Sequence, residues 1–245
     1  MGKKNIRRDH PLGLYLHIPF CKAKCAYCDF YSLARSDEKM DAYTAALQRH
    51  LVEVAPQADC HIVDTVYFGG GTPSYLGVKR LTELLKTVKK HYRLAKEPEI
   101  TVEANPDSAC DWKALRALRR AGVNRLSLGV QSTADALLQA IGRVHTFSQV
   151  QEAVAAARRA KINHLILHLI SLLPPQTLPP WANTLPPPLD LQPAHLSSSV
   201  LKLAPGTPLF FPHLDLTFPH HAAQAPPQPP RLHSTPSPLS SPLFS

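Results

Sequence analysis

The chain has 245 residues, a formal charge of +9 and five cysteines. That length suits one barrel-sized domain plus a tail. The odd cysteine count, and a basic opening GKKNIRRDH with no apolar signal-type run after it, predict a reduced protein of the cytoplasm, not a disulfide framework. No run is long enough to cross a bilayer, since the longest, near residues 165–173, is broken by His168 and Ser171. The positive charge suits anionic partners, but no nucleic-acid motif accompanies it, and KALRALRR at 113–120 reads as a solvated helix face.

In chain order, residues 12–20 have the pattern of a buried strand, and residues 37–54 are helical, with Tyr43, Leu47, Leu51 and Val54 on one side. A strand over 62–68 runs into Gly69, Gly70 and Gly71, followed by a helix over 78–92. Residues 100–104 are strand-like, 112–120 helical, 125–130 a strand, 147–160 a helix and 162–170 a further strand. Strands alternating with helices at this rhythm predict an α/β fold of βα units on a parallel sheet. Each conspicuous motif falls just after a strand, on the rim where such folds carry their sites.

The first of these motifs is LYLHIPFCKAKCAYCDFYS, in which Cys21, Cys25 and Cys28 have C-x3-C-x2-C spacing. Three thiolates in one loop can hold a [4Fe-4S] cube and leave one iron open to a ligand that is not protein. Spacing alone leaves zinc as an equal alternative, although a structural zinc site normally closes with four ligands and Cys60 and Cys110 stand apart. Lys22 and Lys24 are read as solvated loop lysines. The three glycines leave bare backbone groups facing the rim, and Glu103 ends its strand where an unpaired buried carboxylate would be costly.

With VYFGGGTPSYL, ITVEANPDS, RLSLGVQS and IGRVHT following in order, the chain resembles the radical S-adenosylmethionine (SAM) family, in the group holding oxygen-independent coproporphyrinogen III oxidase and the HemW-type heme chaperone. The resemblance is strong over residues 12–163 and weak over 164–209. It implies a partial (β/α)6 TIM-like barrel, of which about five units are legible, and two cofactors, a [4Fe-4S] cluster on Cys21, Cys25 and Cys28 and SAM on its open iron. It further implies SAM contacts at Gly70, Gly71, Thr72, Glu103, Gln131 and Arg143, with aromatic contacts at Tyr15 and Tyr27. The oxidases continue the motif to a fourth cysteine, whereas Asp29 and Phe30 follow Cys28 here. That favours the chaperone branch, with heme or another tetrapyrrole as ligand and heme-accepting respiratory proteins as partners. The decarboxylating oxidase is the alternative, and a non-functional fragment is the second.

Nineteen of the 25 prolines lie at or after His164, no glutamate follows Glu152, and Gly206 is the one glycine in that stretch. Such a bias removes backbone donors and blocks helix interiors. The expected division is therefore a basic segment at 1–11, a radical SAM core at 12–173 and a Pro-rich, irregular or disordered tail at 174–245. Where the group usually reads D-L-I-x-G-L-P-G-Q-T, this chain has HLISLLPPQT from His168. Purine-to-cytosine changes connect the two, so the last third is expected to be a corrupted form of an ordinary member. His168 then replaces an aspartate that contacts SAM in the family.

Overall fold

The computed structural model describes residues 10–174, 176 and 178–210. The first nine residues of the basic segment, Pro175, Thr177 and residues 211–245 with His220 and His221 lie outside the described residues. The chain opens with strand β1 (His10–Ile18), then the two-residue strands β2 (Phe20–Cys21) and β3 (Leu33–Ala34) and helix α1 (Met40–Val54). Strand β4 (His61–Gly70), helix α2 (Val78–His91), strand β5 (Leu94–Ala104), helix α3 (Trp112–Ala121) and strand β6 (Arg125–Gln131) follow. Next come the short helix α4 (Asp135–Ala140), helix α5 (Phe147–Arg159) and strand β7 (His164–Ser171). Helices α6 (Leu178–Thr184) and α7 (Pro186–Asp190) lead to strand β8 (His195–Val200).

Six strands form one sheet in the order β1-β4-β5-β6-β7-β8, every neighbouring pair parallel. This is the parallel sheet that the βα rhythm predicts, in the half-barrel form that the family resemblance implies. Alternation along the strands separates structure from chemistry. Leu126, Leu128 and Val130 of β6 and Leu165, Leu167 and Leu169 of β7 are buried in one core with Leu115 and Leu118 of α3 and Val150 and Val154 of α5. The intervening residues, Ser127 and Gln131 of β6 and His168 of β7, line a cavity instead.

The helices are also tied to one another at their C-terminal ends. Lys89, in the last turn of α2, donates to the Ala121 carbonyl at the end of α3 at 2.5 Å. Arg119, in the last turn of α3, donates through Nε to the Lys161 carbonyl after α5 at 3.1 Å. Arg158, in the last turn of α5, donates to the Leu191 and Gln192 carbonyls after α7. Each cation thus satisfies carbonyl groups that a helix end leaves without intrahelical partners. Arg159 adds a stack over the Trp112 ring, 3.9 Å from its centroid.

Two elements differ from expectation. The strand expected over 100–104 begins at Leu94, and order continues beyond residue 173, so the sixth strand comes from the segment expected to be irregular. Proline is compatible with a first helical turn, where its missing N–H would have no intrahelical partner. Pro186 opens α7 in this way, and β8 contains no proline.

Gly122 ends α3 at φ 120°, and a Cβ there would lie 2.7 Å from Lys89 Nζ. Gly122→Ala is therefore expected to lower the unfolding free energy by about 1–3 kcal/mol, measured by urea denaturation.

Candidate cluster and cofactor site

A parallel sheet brings the C-terminal ends of its strands to one edge, and a cavity of about 580 Å³ opens there. Its first wall is the loop that carries the cysteines. The loop leaves β1 at Ile18 and is closed at its base by pairing of β2 with β3, with Leu33 N donating to Pro19 O and Arg35 N to Cys21 O. Tyr43 of α1 fixes the approach by donating to the His17 carbonyl at 2.6 Å. Cys21 is buried, Cys25 and Cys28 are half-buried, and all three are free thiols lining the cavity. Burial pushes the Cys28 thiol up, so its thiolate needs a positive partner such as a bound metal.

The second wall follows β4. Gly71 N donates to Ile18 O at 2.9 Å and Thr72 N to Phe20 O at 2.8 Å, which clamps the glycine segment against the cysteine loop. A Cβ on Gly71 would stand 2.8 Å from Phe20 O and 3.0 Å from Cys21 Sγ, so this approach requires a residue without a side chain. Gly70 N donates to Glu103 Oε2 at 3.1 Å, and Tyr67 Oη donates to Glu103 Oε1 at 2.7 Å. Burial raises the Glu103 carboxyl, and these two hydrogen bonds pull against that rise. Burial, then the Glu103 charge, pushes the Tyr67 phenol up and keeps it a donor.

Arg143, from the loop after α4, closes the third side. Its Nη2 donates to Asn105 Oδ1 at 2.7 Å and Gly129 O at 2.9 Å, and its Nη1 lies 3.4 Å from Cys25 Sγ. Asn105 Nδ2 donates to Thr72 Oγ1 at 3.2 Å, and Thr72 Oγ1 reaches Cys21 Sγ at 3.6 Å. Asn105 was not singled out from the sequence, although its place directly after a strand end was the available signal. His168 Nε2 and Ser127 Oγ are 2.6 Å apart at the cavity floor, and burial, then Arg125, lowers the imidazole and keeps it neutral.

Of the residues proposed from sequence, Cys21, Cys25, Tyr27, Cys28, Gly70, Gly71, Thr72, Glu103, Gln131 and Arg143 all line this one cavity. Tyr15 does not. It is 60 % exposed, its ring is stacked on Tyr67 with centroids 6.0 Å apart, and the ring edge packs against Gly69, where an added Cβ would stand 2.8 Å from it. Lys22 is not merely solvated, since its Nζ pairs with Asp107 at 3.3 Å.

The residues fit a cluster with a polar organic cofactor. Gln131 Oε1 and Arg143 Nε are buried without a hydrogen-bond partner, which marks polar capacity that the protein itself leaves unused. Among the described residues no group of three or more His, Cys, Asp or Glu is placed to hold a metal ion. In a four-iron cube each thiolate goes to a different iron, so the three thiols need not converge on one point.

The comparisons agree with this geometry. The Radical SAM superfamily model matches residues 15–185. The chain is 38% identical over 198 residues to the heme chaperone HemW of Escherichia coli (strain K12), covering 80% of this chain and 52% of that protein. It is 37% identical over 203 residues to the heme chaperone HemW of Mycobacterium tuberculosis, covering 81% and 52%. Among solved structures, coproporphyrinogen III oxidase (HemN) from Escherichia coli superposes with a TM-score of 0.79 at 30% identity, covering 85% of this chain and 49% of that one. The chain belongs to the radical SAM superfamily, in its HemN/HemW group, and membership implies a [4Fe-4S] cluster and SAM. It spans about half the length of the curated relatives it matches. No helix among the described residues is long and apolar enough to cross a membrane.

One group beside the site responds to pH. His145 is 3 % exposed, its Nε2 donates to Val130 O at 3.2 Å, and its Nδ1 is buried without a partner. Burial, then the Arg143 charge, lowers its pKa from 6.5 to about 4. The folded state therefore binds this proton less tightly than the unfolded chain. Its contribution is complete above pH 6.5 and is lost as pH falls to about 4, by up to about 3 kcal/mol. Unfolding free energies measured across that window should fall more steeply with acidification in the parent chain than in His145→Gln.

Proposed function

We propose that this chain is the cluster-binding and SAM-binding part of a heme chaperone, acting in the cytoplasm and passing heme to heme-requiring respiratory proteins. The observation that carries the reading is the gathering of three free thiols, the glycine segment and the Glu103 and Arg143 polar frame around one cavity. Cys21, Cys25 and Cys28 hold the cluster. Gly70, Gly71, Thr72, Glu103, Gln131 and Arg143 hold SAM, with Tyr27 against the cluster and Tyr15 in the support beneath Glu103. When bound, the cluster supplies an electron to SAM, and the protein's part is to orient the two and exclude water. Arg143 keeps a cation beside the Cys25 thiolate, and the Tyr67 and Gly70 bonds aim the Glu103 carboxylate.

The chaperone branch is favoured by Phe30, which follows Asp29 where a further cysteine marks the oxidases; Phe30 lines the cavity and offers an apolar face instead of a thiol. Hydrogen abstraction from porphyrin side chains is the second reading, supported by the similarity to coproporphyrinogen III oxidase. The division of the sequence into a family-like stretch at 12–173 and a degraded one at 174–245, the first part of which still supplies β8 to the sheet, is part of the proposal, and resequencing of the source DNA tests it.

Anaerobic reconstitution with iron and sulfide should load about four irons per chain, with a reduced-state paramagnetic resonance spectrum that changes on adding SAM. Cys25→Ser should lower iron content several-fold while the far-ultraviolet circular dichroism stays the same. Heme titration of the loaded chain should saturate, and coproporphyrinogen should not be decarboxylated. Turnover of coproporphyrinogen would establish the second reading, and no cluster uptake by the intact chain would mark a non-functional fragment.

A further inference from the structure

A second cavity, of about 700 Å³, opens at the opposite end of the sheet, where the strands begin. The last turns of α2 and α3, the turn after α5 and the first residues of β5 and β7 border it. Lys89, Arg119 and Lys161 line it against a single carboxylate, Glu97, while Tyr92 and Ile100 supply apolar wall. A cation at a helix C-terminus is ordinary, because it complements the helix dipole. Three of them, from the last turns of α2 and α3 and from the turn after α5, lining one void with one acid are not explained by that alone.

Two of the cations are also held in place: Lys89 is fixed through the Ala121 carbonyl, and Arg119, which lines the cavity, uses its Nε on the Lys161 carbonyl, a bond that does not consume its two terminal nitrogens. Two such nitrogens match the paired oxygens of carboxylate and phosphate groups. Lys161 follows α5 at φ 66° and carries its charge on the turn itself. A recess lined by three cations and one carboxylate keeps an excess of positive charge, and its walls concentrate that field more than a flat surface would.

We propose that this cavity binds a small polyanion bearing carboxylate or phosphate groups, gripped jointly by Lys89, Arg119 and Lys161. The site lies at the far end of the strands from the cysteines, and a ligand in it bridges α2, α3 and the α5–β7 turn. Occupancy therefore stabilises the fold by mass action.

The test is calorimetric titration of the full chain with pyrophosphate and, separately, with citrate at low ionic strength, with thermal unfolding in parallel. Saturable binding of either anion together with a raised unfolding midpoint is expected, and which anion binds tells phosphate from carboxylate preference. Lys161→Gln should weaken binding about fivefold, the upper range for one partly exposed ion pair. It should leave the ligand-free unfolding midpoint unchanged. Lys113→Gln removes the same charge from α3 outside the cavity and should change binding less than twofold. Absence of saturable binding with both anions, or equal weakening by the two variants, would overturn the proposal.

Discussion

The buried guanidinium of Arg143 joins three parts of the chain that no local interaction could hold together: the cysteine loop, the exit of β5 and the strand β6. From it a path of hydrogen bonds runs through Asn105 and Thr72, so that Cys25 at one end and Cys21 at the other belong to one frame. A parallel sheet gathers its loops on one edge but does not fix their spacing. This network does. Removing one member of a buried charged network leaves the others with unmet polar groups, which is where such networks are most sensitive. Cys28, by contrast, is held by the bond from its N–H to the Cys25 carbonyl at 3.2 Å and by its place in the loop.

The core and the cavity obtain opposite chemistry from the same strands. In β7 the sequence Leu165, Leu167, Leu169 serves the helix side, and His168 between them serves the cavity. The register places Glu103 beside Ser127 and Gly129 beside His168, which makes the floor of the site a row of adjacent polar positions from successive strands. The imidazole at position 168 brings no negative charge to that row. Its Nε2 is taken up by Ser127 within the protein, whereas a carboxylate there would keep further acceptor capacity for a ligand.

Much of this was legible because the signals were local. Alternation in 125–130 and 162–170, helical spacing in 78–92 and the cysteine spacing each sit in one short window, and their boundaries agree with the structure to within two or three residues. Asn105 was not legible, because its importance arises from Arg143, 38 positions away, and Thr72, 33 away. Tyr15 lies just outside the cavity lining: the sequence shows that it is on the first strand but not that its ring stacks on Tyr67 with its edge against Gly69. The sixth strand was hidden by composition. Proline counts weigh against regular structure on average, whereas what decides is position, and Pro186 falls at a helix start where no donor is lost.

The cationic ties between helix ends run in one direction. Lys89 reaches forward to the end of α3, Arg119 forward to the end of α5, and Arg158 forward to the end of α7. In every case the donor precedes the carbonyl it holds. A chain emerging from the ribosome therefore presents each anchor before the helix end that it will catch, and assembly can follow the order of synthesis without waiting for a distant segment. The same asymmetry makes late segments dependent on early ones: the end of α7 relies on Arg158, but none of these three ties has an early helix end waiting for a donor made later.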